Sequence, residues 1–297
     1  MSTILTLNNG VRMPALGLGV FLSPPAQTAA AVRTALETGY RLVDTAAAYM
    51  NERNVGEGLR ASGIAREDVF VTTKAWVSQY GYDGARRGFE ASMTRLGLDY
   101  LDLYLLHWPV PTDFENTIAA YKAAERLLAE GRVRAIGVSN FLPHHLDTLM
   151  AAADVAPAVN QVELNPFFTQ QAVRDANEKL GTITQAWSPI GGVYGRNVNA
   201  TTNGAATPLE HPVVVAIAQA HAKTPAQVVL RWHLEHGFSA IPKSVHDTRI
   251  RENFDVFDFA LSADEVSRID ALDTGVRAGS DPEKFTAASY PADIDNQ

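Results

Sequence analysis

The chain has 297 residues, of which 46% are hydrophobic and 20% charged, and its 25 basic and 33 acidic residues give a formal net charge of −8. That charge argues against general binding to nucleic acid or to anionic membranes, and the lack of cysteine excludes disulfides and thiolate metal sites. Neither a signal peptide nor an apolar run of membrane-spanning length is visible, so we expect a soluble, cytoplasmic protein.

The predicted elements begin with a hairpin. Residues 5–20, LTLNNGVRMPALGLGV, contain two short apolar runs around an Asn-Asn-Gly turn, followed by a first strand. Ser23 and two prolines then open a helix. From there, strand-like runs alternate with helix-like segments, and these runs are RLVDTA (41–46), DVFVTTK (68–74), LDLYLLH (101–107), VRAIGVSN (133–140), PAVNQVEL (157–164), TITQAWSP (182–189) and GFSAIPKS (237–244).

Eight strands that are nearly continuously apolar, each followed by a helix, predict a parallel sheet buried on both faces. At this length a closed (β/α)8 barrel, the TIM-barrel fold, is favoured over an open doubly wound sheet. The prediction is a single α/β domain over residues 1–297, with an N-terminal hairpin and an extra C-terminal helix and loops. A capping box at Ser262 and Glu265 opens that last helix.

Polar residues follow three successive strands. Asp44, Lys74 and His107 end the second, third and fourth strands of the barrel, where barrel enzymes place their sites. Neighbouring strands lie about 4.8 Å apart, so these side chains can meet, and Tyr49 follows closely enough to fold back over them. Alone, Asp44 and Lys74 would be a structural ion pair, and His107 would be a core histidine. The four together favour catalysis.

These four groups suit the reduction of a carbonyl group. A tyrosine has a pKa of about 10, and a neighbouring lysine lowers it by favouring the phenolate. Asp44 would hold Lys74 charged and oriented, and a neutral His107 can donate to a carbonyl oxygen. Such a set protonates the oxygen of an aldehyde or ketone while hydride reaches its carbon.

The hydride requires a cofactor site. Residues 17–22, GLGVFL, lack the third glycine of a dinucleotide fingerprint, so we interpret Gly17 and Gly19 as sites of close approach in the barrel. The stretch IPKSVHDTRIREN, residues 241–253, instead offers Lys243, Ser244 and Arg249 to a phosphate at a strand end and helix start. Trp187 offers a flat face to a nicotinamide ring, although packing in the core is the commoner role of a tryptophan.

No metal site is expected. His233 and His236 are three residues apart on a predicted helix, but the sequence shows no third ligand. His144 and His145 are expected on the solvent-facing first turn of another helix.

Five of these segments together resemble the aldo-keto reductase family over residues 4–272: GYRLVDTAAAYMNE, DLYLLHWP, GVSNF, NQVELNP and IPKSVHDTRIREN. Three further stretches look most like bacterial members of the 2,5-diketo-D-gluconate reductase type: PAVNQVEL, TPAQVVLRWHL and ENFDVFDFALS. The resemblance implies NADPH/NADP+ as cofactor, a small carbonyl compound as substrate and a monomer. It makes Tyr49 the general acid, with Asp44, Lys74 and His107 as its partners.

The resemblance also assigns the remaining site residues. It implies that the nicotinamide is held by Ser139, Asn140, Gln161 and Trp187, and that the pyrophosphate is lined by Ser188, Ile190, Gly191 and Gly192. It places the 2′-phosphate at Lys243, Ser244 and Arg249, with the adenine near Glu252 and Asn253. The substrate pocket would be walled by Phe21, Trp76, His107 and Trp108. Three positions depart from the common family pattern, namely Met50, Asn165 and Asp247.

Two other functions remain open from the sequence. One is a nicotinamide-binding regulatory subunit with weak or vestigial reductase activity, and the other is a metal-dependent barrel hydrolase. The substrate is not readable from the sequence, because specificity is expected in the least regular segments, residues 76–82, 190–210 and 273–297.

Overall fold

The computed structural model describes residues 3–192, 207–290, 292 and 294. The predicted hairpin is present as strands β1 (Ile4–Thr6) and β2 (Arg12–Pro14), which pair antiparallel. Its turn includes Gly10 at a φ of +84°, a left-handed value that glycine adopts without steric cost.

Eight parallel strands follow in chain order and form the barrel wall. They are β3 (Leu18–Gly19), β4 (Leu42–Asp44), β5 (Phe70–Ala75), β6 (Leu101–Leu106), β7 (Val133–Ser139), β8 (Val159–Glu163), β9 (Ile183–Trp187) and β10 (Ser239–Ala240). Parallel bridges from Leu16 to Ala240 and from Gly19 to Lys243 join the first and last of these strands. The predicted (β/α)8 barrel is therefore confirmed.

Ten α-helices lie in the described part of the chain. They are α1 (Pro25–Thr38), α2 (Glu52–Ala61), α3 (Tyr82–Leu96), α4 (Phe114–Ala129), α5 (Pro143–Met150), α6 (Gln171–Lys179), α7 (Pro212–Ala220), α8 (Pro225–Glu235), α9 (Asp247–Phe254) and α10 (Ala263–Asp270). The capping box predicted for α10 is formed, since Ser262 and Glu265 each accept a backbone N–H of the other.

The two glycines of the first strand lie where the barrel closes. A Cβ on Gly19 would stand 2.7 Å from the carbonyl oxygen of Ile241, and one on Gly17 would stand 2.0 Å from the side chain of Leu42. A Cβ on Gly19 would require the backbone at Ile241 to move, and one on Gly17 would require the side chain of Leu42 to move. The interpretation of these glycines as points of close approach is confirmed.

The hairpin covers the amino-terminal end of the barrel. Leu7 and Met13 are buried in one apolar cluster with Leu42, Leu103 and Leu105 from the barrel strands. Burial of this kind stabilises by about 25 cal/mol per Å² of apolar surface removed from water. The carboxyl ends of the strands remain available for a site.

Helices α7 and α8 stand out among the helices of the described residues by their combined length and apolar composition. Within the described residues no single helix has the length and apolar character to cross a bilayer, although α7 and α8, bent by 90° at their junction, satisfy that test as a pair.

Candidate active site

A cavity of about 510 Å³ opens at the carboxyl ends of the strands. This volume is in the usual range for a small-molecule site. Most of the residues predicted for catalysis and substrate binding line it, together with those of the nicotinamide and pyrophosphate subsites. The lining set comprises Phe21, Asp44, Tyr49, Trp76, His107, Trp108, Ser139, Asn140, Gln161, Trp187, Ser188, Ile190, Gly191, Gly192 and Lys243.

Lys74 lies at the centre of the predicted catalytic group. Its ammonium donates to Oδ1 of Asp44 at 2.6 Å, to the carbonyl oxygen of Thr45 at 2.9 Å and to the hydroxyl of Tyr49 at 3.3 Å. Three acceptors use all three of its protons. The lysine is thus oriented toward the tyrosine oxygen and would stabilise the phenolate that forms when Tyr49 gives up its proton.

Burial opposes the charges of this pair. Lys74 and Asp44 are 0% and 1% exposed, so desolvation raises the pKa of Asp44 and lowers the pKa of Lys74. Each partner counteracts the shift of the other, and Gln161 adds a hydrogen bond to Asp44. A buried pair with this geometry persists because each charge compensates the other.

The loop that carries Tyr49 is fixed on both sides. It forms a turn of 3₁₀ helix, Ala47–Tyr49, directly after β4. Asn51, which is buried, accepts from the hydroxyl of Thr45 and donates to the carbonyl of Val20. Met50 has a φ of +58°, a left-handed conformation that glycine adopts more readily than a residue with a side chain. Fixation of the loop holds the tyrosine over the strand ends.

His107 contributes a neutral imidazole. Burial and the nearby charge of Lys74 hold the pKa of His107 well below its usual range. Its ring packs edge-on against Tyr49 and Trp76, with centroid distances of 5.6 and 5.1 Å. A neutral imidazole in the cavity wall can donate a hydrogen bond to a substrate oxygen without a change of charge.

A chain of polar side chains crosses the barrel beneath the cavity. The amide of Gln161 donates to Oδ2 of Asp44 and to Oε1 of Gln185, both at 2.7 Å, and Gln185 donates to Ser239 at 2.9 Å. Gln185 and Ser239 were missed from sequence. In the sequence each is only a polar residue within an otherwise apolar strand. In the structure this row of hydrogen bonds fixes the side chains of Asp44 and Gln161.

The residues predicted for the nicotinamide converge on one side of the cavity. Asn140 has a φ of +66°, and its amide donates to the backbone carbonyl of His107 and to the hydroxyl of Ser139. It accepts from the indole N–H of Trp187 at 2.8 Å. This hydrogen bond fixes the orientation of the indole on the side of the cavity that Ser139, Asn140 and Gln161 line, the other residues predicted for the nicotinamide.

The predicted phosphate residues are divided. Ser188, Gly191, Gly192 and Lys243 line the cavity, and partial burial lowers the pKa of Lys243. The other two 2′-phosphate residues, Ser244 and Arg249, lie on the adjoining β10–α9 segment and do not line the cavity, and neither do Glu252 and Asn253, which were predicted near the adenine. Glu252 accepts from Thr224, and Asp247 accepts from Thr34.

The C-terminal tail supplies cavity residues that the sequence did not identify. Phe285 stacks on Trp108, with ring centroids 4.0 Å apart and an interplanar angle of 3°. Tyr290 and Phe285 both meet Trp76 edge-on at 5.8 Å. The tail had been predicted only as a specificity segment. Of a second predicted specificity segment, residues 190–210, positions 193–206 lie outside the described residues.

The adjacent histidines His144 and His145 differ in their exposure. His145 is buried against Phe114 and Phe141, so its predicted solvent exposure was wrong, whereas His144 is exposed. His144, His145 and Glu283 lie within 4.8 Å of one another through possible ligand atoms. However, Nδ1 of His145 accepts the backbone N–H of Leu142, so Nε2 carries the proton of the neutral ring and cannot bind a metal in that state.

The other histidine pair does not converge. His233 is buried and its Nε2 donates to the carbonyl of Pro189, while His236 contacts Asp270. The two rings therefore point to different partners.

Known proteins resemble this chain along nearly its whole length. A family model described as "Aldo/keto reductase family" matches residues 15–274. Morphine 6-dehydrogenase of Pseudomonas putida is 53% identical over 289 residues, covering 97% of each chain. Gox0644 in complex with NADPH, a mutant form, has a TM-score of 0.88 and 42% identity, covering 96% of this chain and 99% of that one. A Bombyx mori aldo-keto reductase in complex with NADP has a TM-score of 0.86 and 31% identity, covering 98% of each chain.

Proposed function

The chain belongs to the aldo/keto reductase family, and we propose that it reduces aldehydes and ketones to alcohols with NADPH, using Tyr49 as the general acid. The observation that carries this proposal is the position of Lys74, which donates to both Asp44 and the hydroxyl of Tyr49. A tyrosine whose conjugate base is stabilised in this way can give its proton to a substrate oxygen at neutral pH.

The cofactor assignment is supported by the residues present. NADPH, when bound, would supply the hydride. Ser139, Asn140 and Gln161 offer polar atoms at one side of the cavity, and the indole of Trp187 is oriented beside them. At the other side Gly191 and Gly192 expose backbone, and Lys243 offers a cation. Two of the similar structures hold NADPH or NADP, which agrees with this set.

The roles of the chain's own residues then follow. The substrate carbonyl oxygen would lie between Tyr49 and His107, whose rings are neighbours. His107, neutral because of its burial, would donate to that oxygen and orient it. Tyr49 would transfer its proton as negative charge develops there, and the Lys74 ammonium would stabilise the resulting phenolate. In the reverse direction the same phenolate would accept a proton from an alcohol.

Tyr49→Phe tests this mechanism directly. The variant keeps the ring and its packing but lacks the proton, so we expect a loss of about 10²–10⁴-fold in kcat for aldehyde reduction. NADPH affinity, measured by fluorescence titration, should be nearly unchanged. Full turnover by this variant would refute the role of Tyr49.

The same assay separates the alternative functions. Wild-type protein that binds NADPH but reduces no member of a broad aldehyde panel would favour a regulatory subunit. Loss of activity after exhaustive chelation would favour a metal-dependent enzyme, whereas we expect no change. A monomeric state, a cytoplasmic location and a single domain stay predictions.

A further inference from the structure

We propose that the substrate half of this cavity selects uncharged, flat, apolar carbonyl compounds, and that Phe285 is the residue that determines this selectivity. The inference rests on the proposed carbonyl reduction and narrows its substrate class. It is carried by the shape, charge and anchoring of the aromatic wall that the tail completes.

The wall is built from rings at fixed angles. Trp108 and Phe285 are 8% and 4% exposed and stack nearly parallel at 4.0 Å. Trp76 stands almost perpendicular to Phe285, with an interplanar angle of 82°, and Tyr290 continues the wall. Rings in these arrangements attract other rings through offset-stacked and edge-to-face contacts. A flat unsaturated substrate would extend the same packing, whereas a flexible chain of hydroxyl groups would not.

The wall offers no charge to a substrate. Among the described residues that line the cavity, the ionised side chains are Asp44 and Lys243. Asp44 is committed to Lys74 and Gln161. Lys243 follows β10, whereas Trp76 follows β5 and Trp108 follows β6. These two strands lie three and four strands around the barrel from β10, so the lysine is far from the rings. A carboxylate placed among these rings would lose its hydration and gain no cation.

The mouth of the cavity continues the apolar surface outward. Leu22 and Tyr290 both line the cavity and are 57% and 39% exposed. Exposed apolar residues gathered at one opening indicate a ligand that extends beyond the inner pocket. The substrate is therefore expected to be larger than a single small ring.

The tail that carries Phe285 is anchored at two points shortly before that residue. Glu163 accepts the backbone N–H groups of Ala278 and Gly279, at 2.9 and 2.8 Å. Further along, Glu283 contacts Nε2 of His144 at 2.8 Å. A Cβ on Gly279 would lie 2.5 Å from the ring of Trp187, so the tail packs tightly there. Phe285 is thus placed in advance, and a ligand need not spend binding energy to order it.

This selectivity excludes anionic keto acids as good substrates, including gluconate-like ones. To test this selectivity, the rate of NADPH oxidation at saturating cofactor is compared for 2-naphthaldehyde and its carboxylated analogue, 6-formyl-2-naphthoate. We expect kcat/KM to be on the order of a hundredfold higher for the neutral aldehyde, because the carboxylate finds no partner.

Two variants locate the cause. Phe285→Ala should raise KM for 2-naphthaldehyde about tenfold through the loss of ring contacts, with KM for propanal nearly unchanged. Tyr290→Arg should raise kcat/KM for 6-formyl-2-naphthoate about tenfold or more, since it introduces a cation at the wall. Tyr100→Ala, which removes a ring before β6 at the opposite end of the barrel, is the matched control and should alter neither value.

The outcomes are distinguishable. Equal kcat/KM for the two aldehydes, or a Phe285→Ala effect of the same size on propanal, overturns the proposed selectivity while leaving carbonyl reduction intact. No turnover of any aldehyde overturns the proposed function and the selectivity with it. Should Phe285→Ala fail to fold, as judged by circular dichroism, Phe285→Leu replaces it, with a smaller rise in KM expected.

Discussion

Removing the charge of Lys74 should damage stability and activity for different reasons. In Lys74→Met the methionine fills most of the volume of the lysine, but Asp44 stays buried at 1% exposure without its cation. Breaking a buried ion pair on one side costs about 3–5 kcal/mol, because a charge is left uncompensated. The hydrogen bond from Gln161 to Asp44 at 2.7 Å remains, so we expect the lower part of that range.

A double variant separates the two effects. Lys74→Met combined with Asp44→Asn leaves no unpaired charge, and the new amide oxygen can still accept from Gln161. We therefore expect it to recover most of the lost stability. Activity should be lost in both variants, because neither retains an ammonium to stabilise the phenolate of Tyr49.

Urea unfolding followed by circular dichroism measures the first effect, and NADPH oxidation measures the second. At about 2 °C per kcal/mol for a chain of this size, the lower part of that range corresponds to a fall of about 6–8 °C in Tm, which a thermal melt of Lys74→Met should show. The reasoning fails if the double variant is as unstable as Lys74→Met alone, since the cost then does not come from an unpaired Asp44. It also fails if either variant keeps wild-type turnover.

Three further expectations follow from the same structure. Lys243→Met with Arg249→Ala should weaken NADPH binding about a hundredfold and NADH binding little, since two charge-assisted hydrogen bonds to the 2′-phosphate are lost; an equal loss for both dinucleotides in a fluorescence titration would move the phosphate site elsewhere. Trp187→Phe should abolish most of the emission quenching on NADPH addition, and unchanged quenching would mean that the ring stacks against another residue. Burial lowers the pKa of His233 to about 3, so the unfolded chain binds its proton first, and the free energy of unfolding should fall as pH drops from about 6.5 toward 3. His233→Gln should flatten that part of the urea-monitored pH profile, and an unchanged slope would contradict the assignment.

Several features were determined by the sequence alone. The alternation of apolar strands and helices predicted the barrel, and the carboxyl ends of β4, β5 and β6 predicted that Asp44, Lys74 and His107 would lie close together beside Tyr49. These predictions succeed because they depend on local patterns together with one topological rule. In a closed parallel barrel all carboxyl ends face the same side, so a strand-end residue is placed without knowledge of side-chain packing.

Other features were decided only by tertiary structure. Gln161 meets Asp44 across 117 residues of sequence, and Glu163 meets Gly279 across 116. His145 was predicted to be exposed because it opens a helix, but Phe114 of α4 covers it together with Phe141, which lies just before that helix. The tail has no periodicity that could place Phe285, whose position depends on anchors elsewhere in the chain. Contacts of this kind arise from the packing of distant segments, and no pattern within a short stretch of sequence records which distant side chain will arrive.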